Sequence, residues 1–183
     1  NRMQKTRCES SGNSTSKAPE ARRQELVRML KPAIRGVFLQ KPLEAAGDNS
    51  AKDLLTAYLA ADWDEELIAV ILTAAEQEAK KDDLGLLNNG TVTTTMLILL
   101  KLEPEQGPKL AQPLWESCLK PHAVLAAASR CAFLMLAMLK SGSMKESIVA
   151  TLREHKSRIE KAANEAEASG SKVNGARQLL AAA

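Results

Sequence analysis

Asn89-Gly90-Thr91-Val92, running into Met96-Leu97-Ile98-Leu99-Leu100, is a turn signal, a few variable positions and then an apolar helix, and the chain repeats this phrase three more times. It recurs as Asn49-Ser50-Ala51-Lys52-Asp53-Leu54-Leu55, as Ser129-Arg130-Cys131-Ala132-Phe133-Leu134-Met135-Leu136 and as Asn174-Gly175-Ala176-Arg177-Gln178-Leu179-Leu180. Aligned on Ser50, Gly90, Cys131 and Gly175, the four stand 40, 41 and 44 residues apart. That recurrence belongs to stacked helical repeats, in which each unit covers the apolar face of its neighbour and none is stable alone. The expected fold class is therefore all-α, a helical-repeat solenoid of stacked hairpins and triplets.

The segments between the phrases agree with this. Residues 1–17 are rich in Ser, Asn, Gly, Lys and Arg and are expected to be a disordered arm, with the array spanning 18–183. Leu26, Val27, Leu30, Ile34 and Phe38 recur at helical spacing, and Pro32, which lacks a backbone donor, is expected to split that run into two helices. A helix from Ser50 to Ala61 follows, then one opened by Asp64 as N-cap, with Glu65 and Glu66 against the positive end of the helix dipole. Thr91 to Leu102 is β-branched at its start but too long and unalternating for a half-buried strand, so it is read as a helix. Glu103 to Pro108 reads as a loop. Leu110 to Leu119, a short helix from Pro121, and Ser129 to Lys140 come next. A long amphipathic helix from Ser143 or Met144 to Ala163 carries Ile148, Leu152 and Ile159 inward, a flexible connection covers 166–172, and Val173 to Ala183 closes the chain.

A chain of 183 residues, 45% hydrophobic and 26% charged, can bury a substantial core. Its longest apolar stretch, Cys131 to Leu139, is far shorter than a bilayer-crossing helix, so no membrane partner is expected. The start at Asn1-Arg2-Met3, without an initiator methionine, suggests a piece of a longer polypeptide. Cys8, Cys118 and Cys131 form no C-x-x-C pair and are read as reduced thiols, with neither a zinc site nor a disulfide framework. The net charge of +3 is mild, but its distribution is uneven: Lys and Arg against Asp and Glu number 10 to 5 over residues 1–50, 5 to 11 over 51–110 and 10 to 6 over 111–183. Basic ends can contact phosphate; ordinary scatter of surface charge is the competing reading.

Catalytic chemistry leaves few traces. His122 and His155 are the only histidines. A Cys118–His122 or Cys131–His122 nucleophile pair lacks an orienting carboxylate or a glycine elbow. No phosphate-binding loop or zinc-protease motif occurs, and Asp62, Asp64, Glu65 and Glu66 lack the spacing of a calcium loop. No enzyme activity, cofactor, metal or small-molecule substrate is expected. Phe38, Tyr58, Trp63, Trp115 and Phe133 do not recur at the repeat period, so no row of stacking aromatics is indicated. What remains is charge: Arg22, Arg23, Arg28, Lys31 and Arg35 near the start, Lys52, and Lys140, Lys145, Arg153, Lys156, Arg158, Lys161 and Arg177 near the end. These would hold a phosphate backbone without reading its sequence.

In the order Glu20-Ala21-Arg22-Arg23-Gln24-Glu25-Leu26, Asp48-Asn49-Ser50-Ala51, Ser129-Arg130-Cys131-Ala132 and Asn174-Gly175-Ala176 leading to Leu179-Leu180, the chain resembles the C-terminal part of the Puf-A type of pumilio-homology protein, the branch with the CPL (Penguin-like) region. The resemblance implies a curved array of Puf-like repeats that binds structured RNA, a ribosomal RNA or its precursor, alongside ribosome-assembly proteins in the nucleolus and nucleus. It also implies a part in large-subunit (pre-60S) biogenesis and rRNA processing, and in some members translational control of mRNA. Base-reading pumilio repeats carry polar or aromatic side chains at fixed positions after the small residue. Here those positions hold Ala51, Lys52 and Leu55; Thr91, Val92 and Thr95; Ala132, Phe133 and Leu136; and Ala176, Arg177 and Leu180. Most cannot pair with a base edge, so binding by shape and phosphate is expected. The rival is a protein-interaction scaffold of HEAT or armadillo type, which the acidic middle favours.

Overall fold

The computed structural model describes residues 18–103, 109–142, 144–168 and 174–182. The expected arm over 1–17 lies outside the described residues, as does all but Glu103 of the loop expected over 103–108; of the connection expected over 166–172, residues 166–168 instead belong to α10 and the rest lies outside the described residues. All regular structure among the described residues is helical. In order these are α1 (Pro19–Gln40), α2 (Pro42–Ala46), α3 (Asn49–Ala61), α4 (Glu65–Ala79), a 3-10 turn (Gly85–Asn88) and α5 (Gly90–Leu102). Then α6 (Ala111–Pro113) passes through a π-helical segment (Leu114–Leu119) and a second 3-10 turn (Lys120–His122) into α7 (Ala123–Ala127). The chain continues as α8 (Ala132–Ser141), α9 (Lys145–Glu154), α10 (Lys156–Ala168) and α11 (Asn174–Ala182).

The four repeated phrases are the starts of α3, α5, α8 and α11, and these helices pack in that sequence: α3 on α5, α5 on α8, α8 on α11. Behind them α4 packs on α1, α2 and the π-helical segment, α9 on α8, and α10 on α7 and α11. Leu55, Tyr58, Ile68, Ile71, Met96, Leu99, Trp115, Leu134, Met135, Ile148, Leu152 and Ile159 are all buried in one continuous core. Each such aliphatic side chain contributes about 1.5–3 kcal/mol on burial, so the stacking rather than intrinsic helix propensity holds the fold.

Local chemistry sets the helix starts. Asp48 accepts hydrogen bonds from the N–H groups of Ser50 and Ala51 at α3, and Asn89 accepts from those of Thr91 and Val92 at α5. The threonines of α5 are helical because their hydroxyls have partners. Thr93 Oγ1 donates to the Leu87 and Asn89 carbonyls, and Thr95 Oγ1 to those of Thr91 and, at 2.9 Å, Ala46 on α2. Buried hydroxyls are thereby satisfied and α5 is fastened to α2.

Three expectations are corrected. Pro32 does not split α1, which runs unbroken from Pro19 to Gln40. The proline is exposed, and the Arg28 carbonyl that loses its intrahelical donor lies on the same solvent side. The break comes at Lys41, ahead of Pro42. The expected long helix up to Ala163 is two, interrupted at His155, so that α9 can lie on α8 while α10 turns to α7 and α11. The segment before Pro121 is π-helical rather than regular: the Lys120 N–H reaches back to the Trp115 carbonyl, the widened turn that fits just before a residue with no N–H of its own.

Candidate nucleic-acid interface

The starts of α3, α5 and α8 meet along one edge. Asn49 and Lys52 of α3, Asn88, Asn89, Gly90, Thr91 and Thr94 around the start of α5, and Arg130 just before α8 line one open cleft of about 540 Å³. The α5–α8 junction is tied there by the Arg130 N–H, which donates to Asn88 Oδ1 at 3.2 Å, and by the Cys131 thiol, which reaches the Leu87 carbonyl at 3.4 Å. At the next junction Gly175 sits so close to α8 that a Cβ would stand 3.0 Å from the Ala132 methyl. At Gly90 and Gly175 the absence of a side chain lets the neighbouring segment approach the helix start.

A second groove of about 660 Å³ lies along the exposed faces of α5 and α8. It is lined by Leu97, Leu100 and Lys101 of α5, Phe133, Leu136, Ala137 and Lys140 of α8, Gln178 of α11, and Glu103, Lys109 and Ala111 beyond the end of α5. Thr91, Thr94, Leu97 and Lys101 follow helical spacing, so one stripe of α5 joins the two hollows. Glu103 is occupied: its carboxylate accepts from the Leu110 and Ala111 N–H groups at 3.1 and 3.3 Å and caps the start of α6.

The basic residues expected to contact RNA separate into groups. Lys52 and Lys140 line the two hollows. Arg22, Arg28, Lys31 and Arg35 belong to α1, where Arg28 and Lys31 face Ala57, Ala60, Ala61 and Asp62 at the opposite end of α3 from Lys52. The side chain of Arg23, also on α1, lies outside those described. Lys31 pairs with Asp62 and stands over the Tyr58 ring, and Arg35 pairs with Asp64, Nε to Oδ2 at 2.9 Å, and with Glu66. Basic start and acidic middle thus neutralise each other. Asp64 also caps α4 by accepting from the Leu67 N–H and takes a 2.8 Å hydrogen bond from the Tyr58 hydroxyl. Burial opposes its ionisation, but the hydrogen bonds from Leu67, Tyr58 and Arg35 outweigh that and hold its carboxyl below the usual range. Lys145, Arg153, Lys156 and Arg158 are exposed on α9 and α10, neither of which lines either hollow, and Arg177 is paired with Glu167.

Arg130 and Lys101 were not singled out as contacts from the sequence. Arg130 stood inside a repeated phrase, and Lys101 fell in the stretch counted as acidic; the spacing Thr94, Leu97, Lys101 was the available signal. Cys118 and Cys131 are free and buried, and burial pushes their thiols up to about 12 and about 11, far from the thiolate a nucleophile needs. Among the described residues no group of three or more His, Cys, Asp or Glu is placed to hold a metal. No single helix among them is long and apolar enough to cross a membrane. No protein-family model, curated protein or solved structure matches the chain.

Proposed function

We propose that the chain is a helical-repeat array that binds RNA without reading its sequence, along the exposed face of α3, α5, α8 and α11. The observation that carries this is the pair of hollows set along one stripe of α5, with Lys52 and Arg130 at the helix starts and Lys101 and Lys140 at the helix ends. Cations on the flanks of a groove hold phosphates, while the few apolar side chains between them offer surface to sugars and bases. The side-by-side order of four helices that begin with one sequence phrase supports the repeat reading. The resemblance to the CPL-bearing pumilio-homology proteins belongs to the same proposal, and with it work on ribosomal RNA precursors beside assembly proteins in the nucleolus.

A second reading has its own observation. Leu26, Met29, Leu30 and Val37 form an exposed stripe on α1, with Met29 at 78% exposure, and Leu54 of α3 adjoins it. Apolar surface of this kind marks protein contacts, so a scaffold that binds a protein through α1 is the alternative.

Binding of the chain to an RNA hairpin, a single strand and a DNA duplex at several salt concentrations tests the first reading. Micromolar affinity with a steep salt slope, weakened in Lys52→Glu and Lys101→Glu, is expected. No binding to any of the three would overturn it and leave the scaffold.

A further inference from the structure

Most of the cations whose partners are seen in this fold face a carboxylate. Lys31, Arg35, Lys41, Lys80, Lys81, Lys120 and Arg177 pair with Asp62, Asp64, Glu44, Glu76, Glu78, Glu116 and Glu167 respectively. The cleft at the starts of α3 and α5 is built differently. Lys52 and Arg130 share it with three asparagines and two threonines, and among the described residues no carboxylate lines it. The carboxylate seen nearest Lys52 is that of its chain neighbour Asp53, 3.6 Å away on a mostly exposed side chain.

The amides in the cleft have a fixed sense. Asn88 Oδ1 accepts from the Arg130 N–H, and Asn89 Oδ1 accepts from the Thr91 and Val92 N–H groups. With the oxygens accepting from backbone N–H groups, what these side chains have left to offer a ligand is their NH2 donors. Arg130 adds a planar fork of donors and Lys52 a point charge, so a ligand here meets donors and two positive charges.

This arrangement is not repeated along the row. The residues that correspond to Lys52 are Val92, Phe133 and Arg177, and those that correspond to Arg130 are Asn49, Asn89 and Asn174. Arg177 is engaged by Glu167. A track for successive phosphodiesters would place similar charge at each junction; here it is concentrated at one. Gly90 keeps the position open, because a Cβ there would stand 2.5 Å from Arg130 Nη1.

We propose that the cleft between Lys52 and Arg130 seats one phosphate monoester, the terminal phosphate of an RNA strand whose following nucleotides run along α5 toward Lys101. This rests on the RNA-binding reading above and specifies the end of the bound strand. At neutral pH a monoester carries about −1.5 to −2 charge and three acceptor oxygens, against a single charge on an internal diester, which matches two cations and a ring of donors.

The test compares single-stranded RNAs of one sequence that end in a 5′-phosphate, a 3′-phosphate or hydroxyls only, each labelled away from the end compared. One phosphorylated end should bind about tenfold more tightly than the hydroxyl form, the scale of charge-assisted hydrogen bonds to an added charge. The preference should fade as pH falls below about 6, where the monoester loses its second charge, and disappear in Arg130→Gln and in Gly90→Ala. RNA bound equally well whatever its ends would overturn the terminal seat and leave the RNA-binding reading intact. If no RNA binds, that reading fails, and NMR titration with inorganic phosphate decides the cleft by itself: shifts at Gly90 and Thr91 lost in Arg130→Gln support it, and no shifts at millimolar phosphate overturn it.

Discussion

The guanidinium of Arg130 lies directly over the bare backbone of Gly90, so close that the Cβ of any other residue would stand 2.5 Å from its Nη1. This contact joins the second and third repeated phrases and brings a cation from the turn before α8 onto the start of α5. It also allows function to be separated from stability. In Gly90→Ala the clash is with the far end of a flexible side chain, and because Gly90 does not have positive φ, alanine there loses less chain entropy on folding, about 0.4–1 kcal/mol. We expect the melting temperature of Gly90→Ala to stay within a few degrees of the parent or rise, while RNA affinity falls. A large drop in melting temperature would show that the glycine serves packing instead.

Arg35 and Lys52 should behave as opposites. Arg35 is held by Asp64 and Glu66 across the α1–α4 contact, whereas Lys52 lines the open cleft. Arg35→Gln should lower the melting temperature and leave RNA affinity nearly unchanged; Lys52→Gln should do the reverse. Paired thermal melts and binding titrations read both, and a loss of RNA binding in Arg35→Gln at full stability would return α1 to the interface.

Asp64 gathers the Leu67 N–H, the Tyr58 hydroxyl and Arg35 around one carboxylate whose side chain is only 9% exposed. Asp64→Ala removes a helix cap and leaves a buried hydroxyl without its acceptor, at an expected cost of about 2–3 kcal/mol in urea unfolding. The carboxyl is held below its unfolded value, so its stabilisation is fully present above the unfolded pKa and is lost as pH falls through the folded one. The stability gap between parent and Asp64→Asn should therefore be level at neutral pH and shrink once pH drops below about 4. A gap that widens in acid would contradict the assigned hydrogen bonds.

Thr95 links α5 to α2 through the Ala46 carbonyl. Thr95→Val keeps the shape but strands that carbonyl, and should cost about 1–2 kcal/mol, whereas Thr95→Ser keeps the hydroxyl and loses less. A larger loss in Thr95→Ser than in Thr95→Val on urea denaturation would mean that packing of the methyl group, not the hydrogen bond, matters at this site.

Cys118 and Cys131 should be silent toward a thiol reagent in the native protein. With Cys8 replaced by serine, no rapid labelling is expected at neutral pH, and two equivalents should react on unfolding, because burial holds both thiols protonated and covered. Fast native labelling of Cys131 would show that the α5–α8 junction opens, and of Cys118 that the π-helical segment lifts from α4.

The helical class, the starts of α3, α5 and α4, and the inward set Ile148, Leu152 and Ile159 were all legible in the residues, because caps and apolar spacing act within a turn or two of chain. Local pattern failed where a distant partner intervened. Pro32 looked like a break but sits on the solvent side of a helix anchored by α2, α3 and α4, and the smooth amphipathic run through His155 hid a bend that α7 and α11 require. The same limit applied to charge. The sequence determined that basic ends flank an acidic middle, and that four helices open with one phrase. Only the tertiary structure decided that Lys31 and Arg35 are neutralised by Asp62, Asp64 and Glu66, and that Lys52 and Arg130, far apart in the chain, face one cleft that no carboxylate lines among the described residues. Capping and periodicity are short-range and are written in neighbouring residues, but which charges cancel and which remain depends on distances across the stack, and those are set by how each helix covers the next.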